Sequence, residues 1–412
     1  VKGYRKVKIY MNLNFNVTSR GGVKRHDEKN SFCGNYLYAP SQKANARIID
    51  TKGNLIHEWF NMTGQPNLES NPPSWLRGWH HVELDSEGNL LAIVPHHSIL
   101  KLDRNSKLLW QTNVTAHHDI DVSLDGDVYT ITELPRCIKI RDQQCLILDN
   151  EIAILNSVGS LIKSFSIYDI FANNPYTDDK LNASLDIRFP EIGTEHLFGR
   201  LREEFSNREL QAFLEGRSHF NELREKICIL RGIPGSPCDV IHLNTVEILK
   251  PHPKGLWKQG DLLISARNLN LVAVIDIEIG QIVWAWGPGE ISRQHQPSML
   301  PDGNILIFDN APESRRSRLV EVDPLDRSIR WQYIGTPPEA FYTSLAGGCE
   351  MLPNGNILVS QSQAGRAFEV TKNGCVVWDW LVPGWKIPEK KIRSNFYRLA
   401  RVDSGLLQRI VS

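Results

Sequence analysis

The chain has 412 residues, 41% hydrophobic and 23% charged, and its 47 Lys and Arg balance its 47 Asp and Glu. This is an ordinary soluble composition, long enough for one large domain or two smaller ones, and zero net charge gives no reason to expect nucleic acid as a partner. No apolar run approaches the roughly 20 residues that a membrane helix needs, so no membrane segment is expected in this chain.

In chain order, residues 1–30 come first, with eight Lys or Arg against two Asp or Glu. They read as a mobile basic arm, with one strand around Val7–Tyr10. Because the first residue is Val1 and not Met, a leader or anchor ahead of it is left open. Residues 31–412 form the folded domain, in which two turn signals alternate. The first is Gly-Asn or Gly-Asp followed by an apolar run, at Gly34, Gly88, Gly126, Gly260, Gly303 and Gly355. Gly there permits the positive φ of a tight hairpin. The second is an apolar strand, a turn and an aromatic strand, leading in turn to Trp59, Trp110, Phe165, Trp284 with Trp286, Trp331, and Trp378 with Trp380. These aromatics fit packing between sheets better than a cofactor site.

Each unit is thus four strands, A to D, repeating every 40–50 residues or so, the signature of a β-propeller. The fold is expected to be all-β, a six-bladed propeller. The first unit lacks strand A. A lone strand at Asn395–Val402 is left to complete blade 1 and close the ring. Residues 166–239 interrupt blades 3 and 4 as a helical insertion. It includes a capping box from Ser206 to Glu209, followed by Leu210, Phe213, Leu214, Phe220, Leu223 and Ile227 at helical spacing, with Gly216 inside the run. As a D-to-A crossing it should lie over the strand-A starts as a lid.

Histidines recur at those starts. His80, His118 and His295 each precede the repeat glycine by eight residues, while His242 precedes Gly260 across a longer loop. Strand A lines the channel of a propeller, so this register predicts four imidazoles on one channel face. Gly347 and Tyr397 are the counterparts in blades 6 and 1. Such a cluster suits either metal binding or nucleophilic and acid–base catalysis. Arg267 and Asn244 are placed to hold anionic oxygens beside it, which favours anion chemistry over a metal. No metal and no cofactor are expected. His81, His96, His97, His117 and His252 are less informative.

The sequence resembles the arylsulfotransferase family, the type that does not use the 3′-phosphoadenosine 5′-phosphosulfate donor. The resemblance spans about residues 34–402. It is carried by Gln294-His295-Gln296-Pro297 with Leu300 to Asn310, by Ile241 to Val246, and by Leu263 to Asn268. His118-Asp119-Ile120-Asp121, Gly365 to Val370 and Asn395-Phe396-Tyr397-Arg398 are also typical. It implies a six-bladed propeller that moves a sulfuryl group from a phenolic sulfate to a phenol through a sulfated histidine. His295 would be the nucleophile, with His118, His242, Asn244 and Arg267 in its pocket. Family members commonly carry Asp after that histidine; here Gln296 stands, able to hydrogen-bond but uncharged. His80 is an addition that the family's catalytic set does not require, a substrate donor or a channel residue.

The partners implied are small aryl sulfates and phenols, with a homodimer left open. Two alternatives stand beside transfer: an inactive propeller binding sulfated or phenolic ligands, and a four-histidine metalloenzyme. Among seven cysteines, Cys137 with Cys145 and Cys228 with Cys238 could close small disulfide loops, or all could be buried thiols. Sequons at Asn16, Asn61, Asn113 and Asn182 are about as many as composition yields. An oxidising location is expected: secreted, periplasmic or within the secretory lumen.

Overall fold

Six antiparallel sheets stand as the blades of a β-propeller in the computed structural model, which describes residues 21–41, 43–60, 78–140, 143–188, 202, 206–214, 226–228, 230–231, 238–387 and 392–412. In five blades the chain runs outward from strand A at the channel. The inner strands of blades 2 to 6 are Val82–Leu84, Ala116–Val122, Leu243–Ile248, His295–Met299 and Gly348–Met351. Blade 1 is assembled from both ends of the domain. The C-terminal strand Phe396–Val402 is its innermost, paired with Asn35–Pro40, and Asn45–Asp50 and Leu55–Phe60 complete the sheet.

That closure explains one glycine. Gly88, Gly126, Gly260, Gly303 and Gly355 all adopt positive φ between 81° and 92° at A-to-B turns. Gly34 does not, because in blade 1 no hairpin joins A to B.

The aromatic strands do more than pack. The indole N–H of the strand-D tryptophan donates to a carbonyl in the C–D turn of the following blade. The bonds run Trp59 to Asp103, Trp110 to Ser157, Trp284 to Pro324, Trp331 to Lys372 and Trp378 to Thr51, at 2.7–3.0 Å. Blade 3 has Phe165, which carries no donor. There Lys163 reaches the Ile277 carbonyl at 3.5 Å while lying over the Phe165 ring.

The inner strands need a second device. Their channel-side N–H groups have no ladder partner, and an unpaired buried N–H is costly. Side chains of the preceding blade accept them: Asp119 from Val246, Asp121 from Ile248, Thr245 from Gln296, Glu247 from Met299 and Glu350 from Arg401.

Three departures from expectation concern the edges. Residues 1–30 are not an arm throughout: Gly22–His26 is a fifth, outermost strand on blade 6, paired with Val376–Leu381. The Val7–Tyr10 strand lies outside the described residues. The B–C hairpin of blade 3 is long, Val128–Ile140 against Gln143–Leu155, and rises past the histidine face. Within it Cys137 sits opposite Leu146 and Cys145 opposite Ile138, so the two cysteines are offset by one and face opposite sides of the ribbon. Cys137 is a thiol, and that disulfide loop is not closed.

The insertion between blades 3 and 4 is helical. Its α1 (Ile167–Ala172) is capped by Ser166, whose hydroxyl accepts from the Asp169 N–H. α2 (Pro175–Arg188) and α3 (Asn207–Leu214) follow. The capping box forms: the Ser206 N–H donates to Glu209 at 2.7 Å and the Glu209 N–H to the Ser206 hydroxyl at 3.4 Å. Phe220, Leu223 and Gly216 lie outside the described residues. Ile170, Phe171, Leu181 and Leu185 join the core shared by blades 3 and 4. Among the described residues no helix is long and apolar enough to cross a membrane.

Candidate active site

The histidines arrive by different backbone routes. His80, His118 and His295 each lie four residues before the last paired residue of strand A, which is Leu84, Val122 or Met299. In blade 4 that place, four before Ile248, belongs to Asn244. His242 is two residues further upstream. Four histidines in register is therefore corrected to three histidines and an asparagine, because the long loop from Ile248 to Leu262 hides the count. The counterpart in blade 1 is likewise Arg398, four before Val402, and not Tyr397.

Even so, His242 joins the group. Ring centroids of His80 and His118 are 4.7 Å apart, and those of His118 and His242 are 4.9 Å apart. His118 and His242 have left-handed backbone, φ 63° and 52°, and Gln296 has φ 39°. Each such residue costs about 1–3 kcal/mol, a strain typical of functional sites. Ladder irregularities beside His118, Asn244 and His295 aim these side chains.

Hydrogen-bond partners decide what each ring can do. The Asn310 amide gives both hydrogens away, to the carbonyls of Thr343 at 2.8 Å and Ala346 at 2.7 Å. Its Oδ1 therefore faces His295 Nδ1, 2.7 Å away, and must accept. The His295 proton sits on Nδ1, which leaves a lone pair on Nε2. His242 is held in the same sense: its Nδ1 lies 2.5 Å from the Asp239 carboxylate, which Arg231 also binds at 3.1 Å.

The other two are reversed. Asn150 Oδ1 accepts the Leu243 N–H at 2.8 Å, so its NH₂ faces His117 Nε2 at 3.4 Å. His117 then carries its proton on Nδ1 and donates it to His118 Nδ1 at 2.6 Å. His80 Nδ1 accepts the His118 backbone N–H at 3.3 Å. His118 and His80 therefore present Nε2–H as donors. That suits anion binding and not ligation of a cation through Nε2.

All four imidazoles are neutral at pH 7. Burial holds His80, His118 and His295 well below the usual histidine range. The repulsion that a second protonated imidazole would meet at His80 and His118, and the Arg267 charge at His295, add to it. Burial also lowers His242, to about 4, against the opposing pull of Asp239. His295 is only 2% exposed, so water is nearly excluded from its position.

Arg267 follows strand B of blade 4. Its backbone N–H donates to the His242 carbonyl at 3.1 Å and its NH1 to Asn268 at 3.1 Å. Asn244 is fully buried and donates to the Gln294 carbonyl at 2.9 Å, so it braces the residue before His295. The Gln296 side chain packs on the inner strand of blade 6: a methyl group on Gly348 would stand 1.8 Å from its Oε1.

Several residues here carry no repeat signal. Asn310, Asp239, Asn150 and His117 set the tautomers. Arg231, from the insertion, joins Glu133 on the long hairpin to Asp239. The spacing from Asp239 to His242 and the place of His117 beside His118 are the local clues; the others converge from blades 3 and 5 and the insertion. In sum, His118 and His242 are in ring contact, His80 with them. His295 stands close enough to Arg267 for the guanidinium to oppose its protonation, and a protonated His242 would oppose it too.

A sequence profile of the arylsulfotransferase family (ASST) matches residues 84–382. That span contains His118, His242, Asn244, Arg267 and His295, and excludes His80 and Tyr397. No curated protein matches. Among solved structures, the chain is similar to a protein of unknown function from Bacteroides caccae, at 12% identity and TM-score 0.51, covering 90% of this chain and 100% of that one. It is also similar to a virginiamycin B lyase from Staphylococcus aureus, at 10% identity and TM-score 0.42, covering 90% of each. At these identities the likeness concerns the fold.

Proposed function

We propose that this chain, which belongs to the arylsulfotransferase family, transfers a sulfuryl group between phenols through His295. The observation that carries the reading is the Asn310 contact, which leaves His295 neutral with its lone pair on Nε2. That nitrogen attacks the sulfur of an aryl sulfate. The N–S bond forms as the S–O(aryl) bond breaks, and the electron pair leaves with the aryl oxygen. Asn310 is a neutral acceptor, so the sulfated ring keeps its positive charge, which makes it a good leaving group for the second step.

An acceptor phenol then attacks the sulfur from the same pocket. Its proton passes to His242 Nε2, and the Asp239 carboxylate stabilises the imidazolium formed. The next departing aryl oxide takes that proton back. The Arg267 guanidinium matches two sulfuryl oxygens, while the neutral Nε2–H of His118 is turned to the aryl oxygen. Asn244 acts through the Gln294 backbone, which it braces. Gln296, packed on Gly348, takes no part in proton transfer.

The test is incubation with several aryl sulfates, followed by mass spectrometry of the peptide holding His295. The expected result is a single added sulfuryl group on wild type and none on His295→Ala. Absence of both adduct and transfer with every donor overturns the reading. Ligand binding without turnover, unchanged in His295→Ala, would make the propeller a receptor for aryl sulfates or phenols.

A further inference from the structure

His80 remains without a role in that chemistry, and Tyr397 beside it was not assigned one. Both lie outside the span matched by the family profile. The His80 ring stands 4.5 Å from Tyr397 and 4.7 Å from His118, and His118 and Tyr397 are 6.0 Å apart. Three rings from blades 1, 2 and 3 thus close a small triangle. The Tyr397 hydroxyl is buried beside the Arg398 guanidinium, which can only donate to it, and no described residue accepts its proton. A buried hydroxyl left so costs about 1–3 kcal/mol, which a ligand can return. His80 and His118 turn Nε2–H donors out because their Nδ1 atoms are occupied.

We propose that His80, His118 and Tyr397 form a hole for one phenolate oxygen, which makes His80 and Tyr397 catalytic residues. All three groups are neutral donors, so they suit a single oxygen on which charge appears during reaction. The sulfuryl oxygens lie elsewhere, by Arg267. As the S–O(aryl) bond breaks, the electron pair moves onto the aryl oxygen, and three hydrogen bonds to it shorten. These bonds carry the charge until the oxide takes the proton that His242 kept from the preceding turnover. In the second half the same hole steadies the acceptor oxygen while His242 takes its proton. This places the hole in turnover by resting on the sulfuryl-transfer reading; binding of a phenolate does not depend on it.

The probe is 4-nitrophenol, whose yellow anion reports ionisation, titrated into the full chain. Bound nitrophenol should ionise at a lower pH than free nitrophenol. Tyr397→Phe removes one oxygen whose proton no described residue accepts and leaves Arg398 paired with Asp119, so it should fold normally. It should weaken anion binding about 10-fold or more, as should His80→Leu, while His80→Gln, which keeps an N–H near the Nε2 position, restores part of it. With a series of aryl sulfate donors, the rate loss in Tyr397→Phe and His80→Leu should grow with the basicity of the departing phenol. Equal losses across the series, or no preference for the anion, overturn the proposal even if the His295 adduct forms. Wild type that binds the anion through these residues yet transfers nothing upholds the hole and overturns the transfer reading instead.

Discussion

His117 Nδ1 lies 2.6 Å from His118 Nδ1, so one of these rings must give its proton to the other. Asn150 decides which, because its NH₂ can only donate to the far side of His117. The same logic runs through the site. His80 and His118 become donors, and His242 and His295 keep lone pairs, although three of the four share one register place. Symmetry of the repeat brings the imidazoles together; asymmetry of their backing groups gives them different chemistry.

Asn310→Ala should leave the His295 proton free to choose either nitrogen. We expect kcat for sulfuryl transfer to fall by about 10²–10⁴-fold with little change in KM, read by steady-state kinetics. Asn310→Asp should behave differently, since a carboxylate stabilises the sulfated, cationic ring. There the sulfohistidine should accumulate in peptide mass spectra while turnover slows. Wild-type kcat in Asn310→Ala would show that the contact does not set the nucleophile.

Asp239 raises the proton affinity of His242 against burial, which lowers it to about 4. Asp239→Asn removes the opposing pull, so the imidazole should hold its proton still less well. The acid limb of the kcat/KM profile should then move to lower pH, and the rate should fall by about 10²–10⁴-fold. A limb that stays in place, measured with one donor from about pH 3 upward, would detach His242 from proton transfer.

Four channel carboxyls hold their protons unusually well, all by burial: Glu83, Asp121 and Glu350 to about 7 and Glu247 to about 8. Their folded values lie above the unfolded ones. The stability they contribute is complete below the ordinary carboxyl range and is lost as pH rises through 7 to 8. The histidines act oppositely: their folded values lie below 6.5, so their share is lost as pH falls below that value. Urea midpoints should therefore decline above about pH 6.5 and again in acid. Glu247→Gln keeps an acceptor for the Met299 N–H and should flatten only the alkaline decline. An unchanged decline would place its origin outside the ring.

Trp59→Phe deletes the N–H that reaches the Asp103 carbonyl in a fully buried setting and should cost about 1–3 kcal/mol in urea unfolding. Trp110→Phe removes the equivalent bond at an exposed edge and should cost only about 0.5–1.5 kcal/mol. Equal losses at the two positions would mean that the indoles act by volume and not through their donors.

Much of this protein was determined by sequence alone, because it rests on local physics repeated six times. Gly88, Gly126, Gly260, Gly303 and Gly355 mark turns that need positive φ, and alternating apolar residues mark the strands between them. The unpaired strand at Asn395–Val402 follows from counting, since a ring of antiparallel sheets leaves no edge open. His80, His118 and His295 could be placed on the channel by the same count. It failed at His242, where loop length breaks the register, and at Asn244, which holds the equivalent place. Tertiary structure alone decided the protonation pattern. Asn310 follows strand B of blade 5, Asp239 ends the insertion, Asn150 lies on the long hairpin and His117 on strand A of blade 3, with no common period. A tautomer depends on which atom stands within hydrogen-bond distance, and only the closed ring brings those atoms there.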